Sequence, residues 1–497
     1  MSNLAHHLPA LQVIVPMLTA PFVMLLKPAG LARAAATAAS LMAFAIAIAM
    51  TAGVLDGHTF TYRMGSWPAP YGIELAVDRF GALLLLIVTG ASSFALLAGS
   101  RSVDAEIHES RQPLFYAAWL LALAGLSGIP VAADAFNIFV FMEISSLASY
   151  IIIAGGSDRR ALPAVFKYLI MGTIGATFYL LGIGLIYLMT GTQNLADMEL
   201  RIHEVADQKP ILVAAGFITI GLALKAALFP LHVWLPNAYT YAPNAVTVFL
   251  AACSTKVSLY LLLRFDFFVF QGNLEGHDVQ FSYFLMPLAV LAILIASGVA
   301  LFEKNIKRLL AYSSIAQIGY ILLGASFVTV AGLTASTVHL FNHALAKGAL
   351  FLAVGCLATS CMGMRLPDLG GLAKRMPWTS AAFIVAGFSL IGIPGTAGFI
   401  TKWYLITAAL EQGSLGIALV AILVISSLMA VIYIWRIVEA IYFAEPTSDL
   451  SAIREAPPMM LVVTWAAALA NLYFGLVPEL PVTLASSAAE VLLEHLR

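Results

Sequence analysis

Charge is scarce in this 497-residue chain: Asp, Glu, Lys and Arg make up only 10% of it, against about 25% in soluble domains. With 61% hydrophobic residues it holds more apolar surface than a globular interior needs, so it reads as an integral membrane protein. A formal net charge of −1 excludes a strongly basic nucleic-acid binder. Cysteine is nearly absent too. The three thiols, Cys253, Cys356 and Cys361, lack CxxC or CxxxC spacing, so neither an iron–sulfur nor a zinc site is expected, and no cofactor. The first apolar run lacks the basic flank of a cleaved signal peptide and is expected to be a retained span. No polar segment exceeds about 25 residues, which leaves no room for a nucleotide-binding or redox domain.

What is present is a series of long apolar runs. A spanning helix needs about 20 apolar residues, and on that rule the chain predicts about fourteen spans. Their cores lie near 8–26, 34–54, 80–99, 113–131, 135–154, 163–189 and 211–231, then 242–263, 282–302, 310–328, 331–356, 379–408, 415–443 and 457–477. The closing stretch, LPVTLASSAAEVLLEHLR, reads as a short amphipathic interfacial helix. Lys and Arg cluster in loops after odd-numbered spans, among them Arg101, Arg159, Arg160, Lys304, Lys307, Arg308, Lys374 and Arg375. Cytoplasmic loops keep such an excess, so both termini are expected to face away from the cytoplasm. Two spans carry helix breakers, in FPLHVWLPNAYTYAPNA and SLIGIPGTAGFITKWYL. Breaks at membrane depth are tolerated where freed backbone groups are buried in protein or line a cavity, a habit of transporters.

The rare charges are the informative residues, because an ionisable group in hydrocarbon costs at least about 2.5 kcal/mol. Glu143 lies mid-span in AFNIFVFMEISSLASYIII, Lys225 in GLALKAALF and Lys256 in AACSTKVSLYLLL. His339, His343 and Lys347 follow in HLFNHALAKGALF, and Lys402 comes just after the Pro-Gly break. One acid cannot neutralise four lysines, and burial favours the neutral amine, so these lysines can exchange protons. His339, His343 and Lys347 stand at i, i+4 and i+8 and form one helix stripe. Imidazole can accept and donate at once near physiological pH, which suits a relay. A metal site is disfavoured, since no HExxH glutamate or nearby carboxylate accompanies the histidines. His232, seven residues after Lys225, falls on the same face and is expected either to continue that route towards one surface or to be an interfacial histidine. Lys167 reads as a snorkelling lysine, Asp134 as an N-cap or proton-uptake group, Glu303, Lys304, Lys307 and Arg308 as a cytoplasmic loop, and Arg436 with Glu439 as an i, i+3 pair.

Two echoes, LKAALF with AKGALF and STK with ITK, each pair one buried lysine with another. Beyond them, FMEISSLASY, LKAALFPLHVWLPNAY, NIKRLLAYSSIAQIGY, HLFNHALAKGALFL and GIPGTAGFITKWYL resemble the antiporter-like subunits shared by respiratory complex I and the Mrp multisubunit cation/proton antiporters. GSWPAPYGIELAVDRF and GIPGTAGFITKWYL are most similar to the D-type branch of the Mrp antiporter subunits. The resemblance implies an all-α membrane protein of about fourteen transmembrane helices, with two inverted five-helix repeats and broken helices seven and twelve. The implied units are residues 1–110, a first repeat over 111–265, a second over 280–445, and 446–497. Inverted repeats pair span seven with twelve, so Lys225 matches Lys402, the symmetry does not support the echoes, and the KxALF echo is convergent or accidental. The resemblance further implies Glu143 paired with Lys225, Lys256 as a connecting lysine, His339, His343 and Lys347 as central relay groups, and Lys402 as the terminal group. Lys402 argues against those complex I subunits with glutamate at that place.

The expected protein is therefore a proton-translocating subunit of a hetero-oligomeric cation (Na+)/H+ antiporter in the cell (inner) membrane. Its partners would be other membrane subunits, protons and Na+ as the transported ions, and the lipid bilayer, with no nucleic acid. It is expected to be a secondary transporter subunit rather than an enzyme. The rival readings are a proton-pumping subunit of a quinone oxidoreductase, and a stand-alone uniporter or scaffold. Neighbouring genes would separate the first rival, and expression of the chain alone the second.

Overall fold

The computed structural model describes residues 3–270, 277–361, 363–446 and 450–493, and these are mostly helical. The chain opens with α1 (Asn3–His6), α2 (Leu8–Leu25) and α3 (Ala29–Leu55). An antiparallel hairpin follows, β1 (Phe60–Arg63) on β2 (Glu74–Val77), with Phe60 opposite Val77 and Arg63 opposite Glu74. This corrects the all-α expectation. FTYR and ELAV alternate with the period of a strand, and Phe60, Leu75 and Val77 are buried while Thr61 and Arg63 face out.

The helices then run α4 (Arg79–Ala98), α5 (Ser100–Glu106), α6 (Gln112–Gly128), α7 (Ala135–Ala154), α8 (Ala161–Thr190), α9 (Leu195–Val205), α10 (Lys209–Lys225), α11 (Leu235–Tyr241) and α12 (Asn244–Arg264). The second half contains α13 (His277–Leu291), α14 (Ser297–Phe302), α15 (Ile306–Ala325), α16 (Val330–Ala358), α17 (Pro377–Ile391), α18 (Ala397–Leu410), α19 (Ser414–Tyr442), α20 (Pro458–Leu476) and α21 (Glu479–Leu492). Among the described residues, ten helices are long and apolar enough to cross a membrane, and α17 and α18 are shorter apolar helices. Side-chain oxygens hold several starts: Asp78 accepts Gly81 N–H at 2.7 Å, Asn305 accepts Arg308 N–H at 3.2 Å and Thr329 accepts Gly332 N–H at 3.1 Å.

The spans differ sharply in burial, which locates the core. The apolar windows of α12 and α16 are 89% and 83% buried, whereas that of α19 is 28% buried and presents its surface outward. Helix α16 is walled by α4, α12, α15, α17, α18, α20 and α21. The C-terminal helix α21 is amphipathic, as its sequence predicts. Its stripe of Leu484, Ala485, Ala488 and Leu492, however, packs on α16 and α4 rather than lying free for the membrane interface.

Candidate functional site

The site is built along the interior helices, beginning at a broken one. Gly175 and Gly221 let α8 and α10 touch backbone to backbone: a Cβ at Gly175 would stand 2.8 Å from the Gly221 carbonyl. One turn later α10 ends at Lys225, whose Nζ donates to Glu143 Oε1 at 3.0 Å and Ser146 Oγ at 2.8 Å. Both partners sit on α7, three residues apart and so on one face. The Lys225 side chain is 6% exposed and that of Glu143 28%. The break at 226–234 frees carbonyls, and Trp234 Nε1 donates to the Leu224 oxygen at 3.0 Å while its ring stacks on Tyr168. His232 does not continue the Lys225 face. The helix has ended, so seven-residue spacing has no facial meaning, and the imidazole stacks on Phe229 instead.

A cavity of about 20 Å³, the size of a single water, lies between Lys225 and α12 and is lined by Ser146, Tyr168, Ser254 and Ser258. Lys256 is fully buried on α12 and donates to the Ala251 oxygen at 2.5 Å. On the neighbouring α16, the rings of His339 and His343 stack with centroids 5.6 Å apart, and among the described residues none of their four nitrogens has a partner at hydrogen-bond geometry. Lys347 Nζ donates to the Leu310 oxygen at 2.7 Å and to Ser313 Oγ, both on α15. Among the described residues no carboxylate pairs with Lys256, Lys347 or Lys402.

The far end is a second break. Gly392, at φ +85°, ends α17, and Lys402 reaches back from α18 to donate to the Ile391 oxygen and to Ser427 Oγ at 2.7 Å. Asn342, in the histidine stripe, donates to the Ala397 oxygen at 2.7 Å and Thr401 Oγ1 at 2.9 Å, so α16 seats this break directly. Tyr320 bridges the two: its ring lies 5.8 Å from His339 and 5.7 Å from Lys402 Nζ. Sequence reasoning missed Tyr320 and Ser427, which carry no formal charge, and the buried Asp266, to which Thr219 donates at 3.2 Å. Ser146 was legible as the i+3 neighbour of Glu143.

The remaining polar residues divide clearly. Asp134 caps α7 by accepting Asn137 N–H at 2.9 Å, and Lys167 is exposed on α8. Arg308 pairs with Glu303 at 3.1 Å. Arg436 does not pair with Glu439; it donates to the backbone oxygens of Leu301 and Glu303. Lys307 is no loop residue: it is 5% exposed and donates to the Ala242 oxygen at 2.7 Å, because α15 begins inside the protein.

Residues 132–430, which include every candidate site residue from Glu143 to Lys402, match the family model described as NADH:quinone oxidoreductase/Mrp antiporter, transmembrane. The chain belongs to this family. Among relatives of the NADH:quinone oxidoreductase/Mrp antiporter family, it is 40% identical over 456 residues to the N-type subunit of the NADH-quinone oxidoreductase of Desulforudis audaxviator, covering 91% of this chain and 90% of the relative. It is 30% identical over 485 residues to the D-type subunit of the Na(+)/H(+) antiporter of Bacillus subtilis, covering 97% and 96%. A chain in the solved Mrp complex from Dietzia sp. superposes with a TM-score of 0.90 at 27% identity, covering 99% of this chain and 98% of that one.

Proposed function

We propose that this chain is the proton-translocating subunit of a multisubunit Na+/H+ antiporter, a secondary transporter subunit rather than an enzyme. The observation that carries the reading is the ion pair of a buried Lys225 with a half-buried Glu143 at a broken helix, followed by cationic and imidazole groups without carboxylate partners among the described residues. A charged Lys225 stabilises ionised Glu143; separating the pair favours release of the lysine's proton. The proton then passes by way of Lys256 and the His343, His339 and Lys347 stripe to Lys402, with Tyr320 between the stripe and the last lysine. Buried imidazole nitrogens without protein partners favour a hydrated path, since unsatisfied polar groups are costly. The likeness to the D-type antiporter subunit and to the Mrp complex chain, which runs over nearly the full length of each, supports membrane partners.

The finer architecture belongs to the same proposal. It comprises fourteen spans, inverted repeats over 111–265 and 280–445 flanked by 1–110 and 446–497, and both termini on the non-cytoplasmic side of the cell membrane. Lys225 and Lys402 at the two breaks support the repeat pairing. The second reading, a proton-pumping subunit of a redox-driven complex, is favoured by one observation, the 40% identity to an N-type quinone oxidoreductase subunit. Lys225→Ala in the assembled complex tests the relay. Exchange per complex should fall at least about tenfold, which corresponds to ~1.4 kcal/mol; unchanged exchange would remove the relay reading.

A further inference from the structure

Glu106 lies outside the relay, at the end of α5, yet it grips the start of the helix that bears Lys256. Its Oε2 accepts the N–H of Asn244, the first residue of α12, at 2.8 Å, and its Oε1 accepts from Asn244 Nδ2; Ser102 Oγ donates to Oε2 at 3.2 Å. A carboxylate there satisfies a free helix amide and sits at the positive end of the helix dipole. Lys307 completes the arrangement from α15, donating to the Ala242 oxygen at 2.7 Å, just past the last residue of α11. An anion thus holds the amide side, and a cation the carbonyl side, of the turn Ala242–Pro243–Asn244. That turn joins the broken span of Lys225 to the helix of Lys256.

The other end of α12 is tied independently. Arg264, its last residue, is bidentate to Asp78, at 2.7 and 2.9 Å, and also donates to Tyr260 Oη at 2.8 Å. With one end of a helix about 30 Å long pinned, slack at the other tilts it, and Lys256 between the two moves with the tilt.

We propose that Glu106 and Lys307 are positioning residues that brace the α11–α12 turn and thereby set the placement of Lys256 in the relay. The assignment rests on the relay reading only for the role of Lys256. The brace also faces outward. Glu106 lines a cavity of about 350 Å³ and two open crevices of about 740 and about 790 Å³. The charged and titratable groups around it are Lys307 of α15, Arg101 and Asp104 on its own helix, the latter with Arg33 of α3 at 3.5 Å, His108 and Glu109 just after that helix, Asp158 and Arg160 of the 155–160 loop, and Arg454 and Glu455. Burial raises the Glu106 carboxyl above the usual glutamate range, while Lys307, Asn244 and Ser102 pull it down. A raised value means that acidification of this side neutralises Glu106 earlier than a free glutamate, and the brace loosens as pH falls through it.

The test uses the assembled multisubunit complex carrying Glu106→Gln, with Na+ as the driving cation. Two quantities are read: amide hydrogen exchange over residues 240–250, and cation-driven proton transport per assembled complex as a function of pH. Amide exchange there should rise about tenfold with no change over 258–264, and transport near neutral pH should fall about tenfold, each equivalent to ~1.4 kcal/mol. The wild-type rate should converge on the variant's as pH falls, and Asn244→Asp added to Glu106→Gln should restore part of the rate by returning an anion to the turn. Unchanged amide exchange, or faster amide exchange with unchanged transport, overturns the proposal. Should Glu106→Gln fail to assemble, Asn244→Ala removes one of the two bonds to α12 and is read by the same two criteria. If Lys225→Ala leaves transport intact while Glu106→Gln alters it, the relay reading fails and the brace stands.

Discussion

At the scale of single residues, function and stability pull in opposite directions. Lys347 is fully buried with one carbonyl and one hydroxyl as partners and no carboxylate among the described residues, an arrangement that packing alone would not favour. Lys347→Met keeps the length of the side chain and removes the charge. The assembled complex should melt at the same temperature or higher, a stability change between zero and a gain of about 1–4 kcal/mol, because apolar replacements of buried ions are often neutral or stabilising. Its transport should nevertheless fall at least about tenfold. Parallel losses of melting temperature and transport would instead mark Lys347 as a structural residue. Glu143, Lys225, Lys256, His339, His343, Lys347 and Lys402 were all legible in the sequence, because charge in an apolar run stands out. Tyr320, Ser427 and Glu106 were not: what singles them out is what they touch, and each is unremarkable among its sequence neighbours.

At the scale of elements, the two breaks show why glycine and proline sit where they do. Gly392 and Gly395 both have φ near +85°, which L-residues adopt only at a cost of roughly 1–2 kcal/mol. A Cβ at Gly392 would also lie 2.7 Å from Lys402 Cδ, whereas one at Gly395 meets nothing within 4 Å. Gly392→Ala and Gly395→Ala should therefore lose similar stability in thermal melts of the complex, but only Gly392→Ala should reduce transport strongly, by displacing Lys402. Equal transport losses would mean that the backbone of the break, not the placement of the lysine, is what matters. The breaks themselves were visible in FPLHVWLPNAY and GIPGTAGF, but His232 shows the limit of reading periodicity across one: facial spacing holds only while the helix continues. The hairpin at 60–77 escaped notice because four-residue strands leave too short an alternation to separate from loop.

At the scale of the whole molecule, sidedness is the property with the simplest measurement. The lysine and arginine asymmetry predicts both termini outside the cytoplasm. Epitope tags at either end should be accessible to protease in intact, right-side-out cells; protection of one tag alone would refute the even span count, and protection of both would refute the orientation. Composition and local pattern by themselves determined that the chain is a helical membrane protein, where its apolar runs lie, where they break and which ionisable residues fall within those runs, because each follows from the cost of polarity in hydrocarbon along a short stretch. Only the tertiary structure decided which helices are central, that α21 packs on α16, that Tyr320 stands between His339 and Lys402, and that Glu106 and Lys307 hold one turn from opposite sides. Those are contacts between residues far apart in the chain, set by the packing of whole helices, and no periodicity within one segment encodes them.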